Sequence, residues 1–217
     1  LDFMRKARTD SDLFVIARAA AKCARNPEEV KRMVGLLASR RKLVPGLAAD
    51  IVKEAEINHA SLFLELIREN EPAMIRTGLT GLNTYTSVFI PKEVVRSLLK
   101  HPDAVIRRMT METLASAGSM AYADLMQAGL GDPDPSVVQA SAAACMRLGQ
   151  EGIAAFCETA KRIRDQGGGT FLDELIEAEL ARLSENLDHL PTLESYNALK
   201  YTYEKTFGKT KRMYRVV

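Results

Sequence analysis

Apolar side chains recur every three or four residues along most of this chain, which is the spacing that places them on one face of an α-helix. One clear stripe consists of Val30, Met33, Val34, Leu37 and Ala38. No segment shows sustained alternation of apolar and polar residues, which is the pattern of a half-buried β-strand. Ala and Leu, both strong helix formers, are also frequent. The pattern therefore predicts an all-α fold.

Capping and helix-breaking residues divide this pattern into separate helices. We predict that helices begin at or near Asp10-Ser11-Asp12, Asn26-Pro27, Leu47, Ser61, Glu71-Pro72, Pro91, Thr170 and Pro191. Thr170 together with Asp173 predicts a capping box of the acidic kind. Pro45-Gly46 predicts a break in the chain, and Gly78 and Gly81 predict a poorly formed helix.

Two further segments are predicted to be loops, and one basic cluster is predicted to end a helix. Residues 83–90 are rich in β-branched and aromatic types, and residues 167–169 are three consecutive glycines. Arg40-Arg41-Lys42 suits the C-terminal end of the second helix, because cations are favourable at the negative end of the helix dipole.

An internal repeat organises the middle of the chain. Pro102-Asp103-Ala104-Val105-Ile106-Arg107 leads to Gly118, and Pro133-Asp134-Pro135-Ser136-Val137-Val138 leads to Gly149. The two prolines are 31 residues apart, and so are the two glycines. Ile75-Arg76, 31 residues before Ile106-Arg107, indicates a weaker earlier copy. A fixed period of this length is typical of stacked helical hairpins, and glycine suits the left-handed residue that commonly ends a helix.

Residues 102–149 resemble the HEAT-repeat family. The matching residues are Asp103, Val105, Arg107, Leu114 and Gly118, then Asp132-Pro133-Asp134-Pro135, Val137, Ala140, Ala143-Ala144 and Leu148-Gly149. In the family pattern an acidic-proline turn precedes a helix that carries valine, arginine and small residues and ends at glycine. The arginine is expected to reach acidic groups of a neighbouring turn, although Val138 replaces it in the second copy.

The resemblance implies a right-handed α-α superhelix, an armadillo-like solenoid of roughly five or six helical hairpins. It also implies a non-catalytic binding or scaffold role. We expect residues 1–169 to form the HEAT-like repeats, with the clearest copies in residues 102–149. Residues 170–217 are expected to form capping helices and a basic tail.

Composition and charge narrow the class of protein. Apolar residues make up 47% of the chain, charged residues 27%, and the net charge is +2, so no global field favours nucleic acid or a membrane. Cys23, Cys145 and Cys157 contain no CxxC pair, and we expect buried thiols in a reducing compartment, the cytoplasm. No apolar run approaches the roughly 18 residues of a membrane span. Because the chain begins with Leu1, we expect a piece of a longer or processed protein.

The sequence predicts neither an enzyme nor a cofactor or metal site. His59, His101 and His189 stand apart from one another and from other ligand types, so they are predicted to lie at the surface or at helix caps. Nucleophile, base and acid sets cannot be assembled from the sequence. The function predicted is therefore a protein–protein interaction or scaffold module within a larger protein.

In solenoids of this kind the second helix of each hairpin can line the inner, concave face. If it does so here, the candidate partner-binding residues are the exposed positions of these second helices. They are Lys92, Arg96, Lys100, Tyr122, Gln127, Lys161, Arg162 and Arg164, and the basic C-terminal segment adds Lys209, Lys211, Arg212 and Arg215. Many of these residues are basic, so two alternatives stay open. One is nucleic-acid binding on a basic concave face, as in the alkylpurine-glycosylase branch of HEAT-like proteins. The other is a cytosolic regulatory domain of a membrane or sensor protein.

Overall fold

A computed structural model describes Met4 and residues 9–39, 45–85, 88–168 and 170–208. Every regular element within these ranges is a helix, which confirms the predicted all-α fold. The chain divides into two compact units, Leu1–Ala117 and Gly118–Val217. The boundary that the sequence places at residue 169, between repeats and cap, stays a prediction.

The helices of the first unit follow one another closely. They are α1 (Asp10–Cys23), α2 (Pro27–Ser39), α3 (Pro45–Lys53), α4 (His59–Leu66), α5 (Pro72–Leu82), α6 (Lys92–Leu99) and α7 (Ala104–Ala117). Contacts join α2 to α3, α4 to α5 and α6 to α7, and they also join α1 to α3, α3 to α5 and α5 to α7. Helices that touch both the next helix and the next but one form stacked hairpins.

The second unit is built in the same way. A 3₁₀ turn at Met120–Tyr122 leads into α8 (Ala123–Gly129), and α9 (Pro135–Arg147), α10 (Gly149–Asp165), α11 (Phe171–Ser184) and α12 (Leu190–Phe207) follow. Helix α10 packs against α8 and α12, so the three return helices of this unit form a continuous row. Helix α9 packs on α8 and α10, and α11 packs on α12.

The cores of both units consist of the apolar stripes that the sequence pattern indicates. The stripe of α2 is buried from Val30 to Ala38, and Leu172, Ile176, Leu180 and Leu183 are buried on α11. The Asp-Pro turns and the glycines behave as the repeat predicts. Gly118 and Gly149 are left-handed, with φ of +57° and +72°.

Two predicted N-caps differ in detail from the structure, and the helix predicted to start near Ser61 begins at His59. Thr9, one residue before the predicted Asp10-Ser11-Asp12, is the N-cap of α1, and it forms a capping box with Asp12. The capping box predicted at Thr170 is wrong, because its Oγ1 donates to Glu174 Oε1 (2.8 Å) and accepts no backbone N–H. Asn26 caps α2 as expected, accepting from the N–H of Glu28 at 2.9 Å.

Two predictions based on glycine and proline, the break at Pro45-Gly46 and the poor helix around Gly78 and Gly81, are wrong. Pro45-Gly46 forms the first turn of α3, where proline's missing N–H has no intrahelical acceptor to lose. Gly78 and Gly81 are buried inside α5, which is well formed. A Cβ added at Gly81 would lie 2.3 Å from Phe63 Cε1 of α4. These glycines therefore permit a close approach of α4 and α5.

The thiols are only partly as predicted. Cys145 and Cys157 are buried, whereas Cys23, in the last turn of α1, is exposed. The stripe of α1 explains the difference, because Leu13, Ala17 and Ala21 face the core and Cys23 lies off that face.

Candidate partner-binding groove

A surface groove of about 720 Å³ lies along the seam between α10 and α12 of the second unit. Its α10 side consists of residues spaced by one turn, and its α12 side consists of one face of the last two turns. The lining residues are Gln150, Ala154, Glu158, Lys161, Arg162, Asp165, Gln166, Tyr201, Thr202, Lys205 and Thr206. The spacing follows from helix geometry, because residues three and four apart share a face.

The charges of the groove are mixed, with an excess of basic groups. Lys161, Arg162 and Lys205 are exposed and form no salt bridge within the described ranges. Two carboxylates, Glu158 and Asp165, line the same groove, and Asp165 lies 3.9 Å from Arg164 Nε. The basic side chains are thus available to an incoming acidic group.

An exposed aromatic ring lines the groove together with the charged groups. Tyr201 is 63% exposed, although tyrosine carries a large apolar ring. The buried stripe of α12 consists of Tyr196, Leu199 and Tyr203, and Tyr201 lies on the other side of the helix. Tyrosine is enriched among the residues that contribute most to binding energy in protein interfaces.

Arg164 holds α12 in place beside the groove. Its Nη1 lies 3.4 Å from Asp173 Oδ2 of α11, and its guanidinium carbon lies 4.4 Å from the centre of the Phe207 ring. Asp173 is only 8% exposed, so this ion pair compensates a buried carboxylate. The Phe207 ring is also 4.7 Å from that of Tyr203. One side chain of α10 therefore joins α11 and α12.

Tyr203 forms a second link between α12 and α11, on the buried side of α12. Burial, together with the nearby carboxylates of Glu177 and Asp173, raises the pKa of Tyr203 to about 12. Its hydroxyl donates to Glu177 Oε1 at 3.3 Å. The phenol is therefore neutral at physiological pH and anchors α12 to α11.

The structure brings together only some of the predicted binding residues. Lys161 and Arg162 line the groove, whereas Arg164 is half-buried and occupied by Asp173 and Phe207. Gln127 is half-buried on α8. Tyr122 was predicted to be exposed, and this is wrong, because the 3₁₀ turn directs it into the core, where it is 1% exposed.

Three of the predicted residues belong to the first unit. Lys92, Arg96 and Lys100 are spaced by four residues on α6, with Lys92 half-buried and the other two exposed. A cavity of about 320 Å³ beside this helix is lined instead by Glu93 and Ser97 of α6 and by His101, which follows the helix. Lys209, Lys211, Arg212 and Arg215 lie outside the described residues, as does Arg40-Arg41-Lys42.

Tyr201 and the threonines of the groove are not among the binding residues predicted from the sequence. One signal was present, because Tyr201 falls between the buried positions 199 and 203 and so must face away from the core. The sequence does not show which residues lie near Tyr201, because only the packing of α12 on α10 brings it into the same groove as Lys161 and Arg162.

The first unit contains the arginine contact that the repeat pattern implies. Arg76, at the position equivalent to Arg107 one period earlier, forms a salt bridge with Asp103 in the turn of the next hairpin. Arg107 donates to the carbonyl oxygens of His101 (2.9 Å) and Pro102 (3.1 Å) within its own turn. These arginines fix the turn between α6 and α7.

The three histidines take part in local hydrogen bonds. His101 Nδ1 accepts from the N–H of Asp103 at 3.0 Å, and His59 Nε2 lies 2.7 Å from the carbonyl oxygen of Ala55. His189 is the N-cap residue of α12, with Nδ1 3.0 Å from Thr192 Oγ1. Across the described ranges, no group of three or more His, Cys, Asp or Glu side chains is arranged to hold a metal ion.

These features define a class of protein, a stack of short helical hairpins with a period of 31 residues in its central part. Comparison with known families agrees with that class. Residues 91–165, about a third of the chain, match the family model for HEAT repeats, which confirms the resemblance based on residues 102–149. HEAT repeats generally mediate protein–protein interaction or scaffolding and are typically non-catalytic. No curated protein and no solved structure shows significant similarity to the chain.

The length and apolar character of the helices decide whether any of them could span a membrane. Among the residues that the structure describes, no helix combines the length and the apolar character needed to cross a lipid bilayer.

Proposed function

We propose that this chain is a protein-binding module of a larger protein, and that the groove between α10 and α12 is its principal binding surface. The observation that carries the proposal is that exposed Tyr201 lines the same groove as Lys161, Arg162 and Lys205. An aromatic anchor surrounded by polar and charged side chains is the usual organisation of a protein interface.

The mixed charge of the groove supports a protein partner over nucleic acid. A nucleic-acid backbone carries a phosphate at every nucleotide, so it favours a surface that is basic throughout. Glu158 and Asp165 would repel such a backbone inside this groove. A polypeptide, in contrast, can place its acidic residues beside the basic side chains and avoid the two carboxylates.

The thiols support a reducing compartment such as the cytoplasm as the place of action. Cys23, Cys145 and Cys157 are all free, and two of them are packed in the core of the second unit. Small exported proteins more often oxidise their cysteines in pairs.

Affinity capture followed by quantitative mass spectrometry tests the proposal. The wild-type chain and the variants Tyr201→Ser and Arg162→Glu are immobilised and exposed to an extract of the native cell. We expect at least one protein to be enriched on the wild type and reduced on both variants. That protein is then purified and titrated against the same three chains.

Arg147→Glu provides the matched control. Arg147 is also an exposed arginine near the end of a helix in the second unit, but it lies on α9 and does not line the groove. The Arg147→Glu variant should capture the same partner as the wild type. Failure of the wild type to enrich any protein, while duplex DNA binds it with steep salt dependence, would reject the proposal in favour of nucleic acid.

A further inference from the structure

The groove also restricts the chemistry of its partner. The three basic side chains come from two helices, Lys161 and Arg162 from α10 and Lys205 from α12, and they lie on both sides of the seam. None of the three has a salt bridge within the described part of the chain. A partner that crosses the seam therefore meets basic groups on both sides of it.

From this arrangement we propose that the groove binds an acidic peptide segment of a partner protein, with an apolar side chain of that segment packed on the Tyr201 ring. The inference rests on the proposed protein-binding function and adds the chemistry of the ligand. Carboxylates of the segment pair with the three basic residues, and their spacing is set by the width of the seam.

The two carboxylates of the groove give it selectivity. Glu158 lies about one helical turn before Lys161 and Arg162 on α10, and Asp165 lies about one turn after them. A segment with an acidic residue opposite either carboxylate is repelled, because like charges placed together in an interface are destabilising. The groove therefore selects spaced acidic residues and discriminates against a uniform polyanion.

The size of the groove agrees with a short peptide. Its volume of about 720 Å³ falls in the range of pockets that hold small ligands, roughly 300–1,000 Å³, and several of its polar groups are hydroxyls and amides. Thr202 and Thr206, one turn apart on α12, supply hydroxyl groups that both donate and accept hydrogen bonds. Backbone groups of an extended segment can bind to these hydroxyls between its charged side chains.

Selection from a random library of 12-residue displayed peptides tests the inference directly, because the library samples acidic, neutral and basic segments alike. The bait is the full chain, and the same selection is repeated with the double variant Lys161→Glu/Lys205→Glu. We expect the wild type to enrich peptides in which Asp and Glu are over-represented and spaced apart, with one aromatic or aliphatic residue. The double variant should not enrich that set.

Fluorescence titration of one enriched peptide then measures how much each variant changes the binding affinity. The double variant should weaken binding by roughly tenfold or more, whereas Arg147→Glu should change it by less than about twofold. Circular dichroism melting shows that each variant is folded, which is expected because all three positions are exposed.

Two results would overturn the inference, and they differ from failure of the proposed function. Enrichment of neutral or basic peptides would show that the groove does not select acidic segments. Acidic peptides that bind the double variant as tightly as the wild type would show that they bind elsewhere. In both cases the native partner in the capture experiment would still support a protein-binding module, whereas absence of any enriched peptide and of any captured protein would reject both.

Discussion

At the scale of the residue, two glycines set how closely α4 and α5 pack. A Cβ at Gly78 would lie 2.8 Å from the backbone oxygen of Phe63, and one at Gly81 would lie 2.3 Å from the ring of the same residue. Contacts this short force a backbone or a buried ring to move. The glycines therefore stabilise the hairpin through packing, at the cost of their low helix propensity.

Gly81→Ala should lower the free energy of unfolding by about 1–3 kcal/mol, because it overpacks a close helix contact. Gly35→Ala is the matched control, since Gly35 is also inside a helix but has open space where its Cβ would lie. It should raise the free energy of unfolding by about 0.5–1 kcal/mol through helix propensity. Urea denaturation of the two variants measures both signs, and a stabilising Gly81→Ala would show that α4 and α5 are not in close contact.

The three cysteines should differ sharply in reactivity. Burial raises the pKa of Cys145 to about 12, and burial together with the charges of Glu158 and Asp173 raises the pKa of Cys157 to about 12. The thiolate is the reactive species, so both are inert at pH 8, whereas Cys23 is exposed. A disulfide reagent that releases a chromophore should titrate one thiol quickly and two more only after denaturation.

Cys23→Ser identifies the fast thiol, because it should remove the rapid reaction and leave the two thiols that react after denaturation. Rapid reaction of two or three thiols in the native wild type would contradict the buried positions of Cys145 and Cys157.

The salt bridge between Arg76 and Asp103 predicts a pH dependence. Burial of Asp103 opposes its ionisation, but the Arg76 guanidinium and the N–H of Val105 outweigh it, so the pKa of Asp103 lies below its usual value. A lowered pKa contributes stability that is present above the unfolded value, about 3.9, and is lost as the pH falls through the folded value. The contribution is therefore constant at neutral pH.

Arg76→Met should lower the free energy of unfolding by about 0.5–1 kcal/mol at pH 7, a modest figure because both side chains are partly exposed to solvent. The difference from the wild type should begin to shrink below about pH 4, where Asp103 of the unfolded chain becomes protonated, and should disappear as the pH falls through the lowered pKa of the folded state. Urea denaturation of both chains between pH 3 and pH 8 measures this difference in the free energy of unfolding. A difference that grows on acidification would contradict the assignment of the ion pair.

At the scale of the element, Arg164 of α10 adds an ion pair and a cation–π contact to the apolar packing that docks α12. Arg164→Met removes the partner of the buried Asp173 carboxylate and the cation above the Phe207 ring. We expect a loss of about 1–3 kcal/mol, because a buried acceptor is left without its donor. Hydrogen exchange of the α12 amides should accelerate, while that of α5 in the first unit should not change.

Arg164→Lys should recover only part of the free energy of unfolding that Arg164→Met loses. Lysine retains the charge but not the planar guanidinium that stacks on an aromatic ring. Unchanged exchange in α12 after Arg164→Met would show that the apolar contacts of Leu199 and Tyr203 alone hold the helix.

The existence of the helices was predictable because their apolar spacing is long and regular, whereas the helix caps were predictable only in part. Thr9 and Thr170 are both followed three residues later by an aspartate. Thr9 has an extended backbone, with φ −119° and ψ 159°, and its side chain can accept from the first turn. Thr170 has φ −82° and ψ 2°, which prevents that geometry. A capping box therefore needs a backbone conformation that the residue pattern does not determine.

At the scale of the whole molecule, the 31-residue period was enough to predict stacked hairpins, because each copy carries its own turn, helix and terminal glycine. The division into two compact units has no such marker in the sequence, since it depends on which helices make contacts. The same holds for the groove. The facing of Tyr201 follows from helix periodicity, but its position beside Lys161 and Arg162 follows only from the packing of α12 on α10.

The most direct test of a partner bound between α10 and α12 is a scan with a photoreactive amino acid. It is placed in turn at Glu158, Tyr201 and Lys205 of the groove, and at Gln139 of α9 and Ala178 of α11, which are exposed outside it. After irradiation with the captured partner, we predict cross-links from the three groove positions and none from the other two. Equal or stronger cross-linking from Gln139 or Ala178 would contradict the groove as the binding surface.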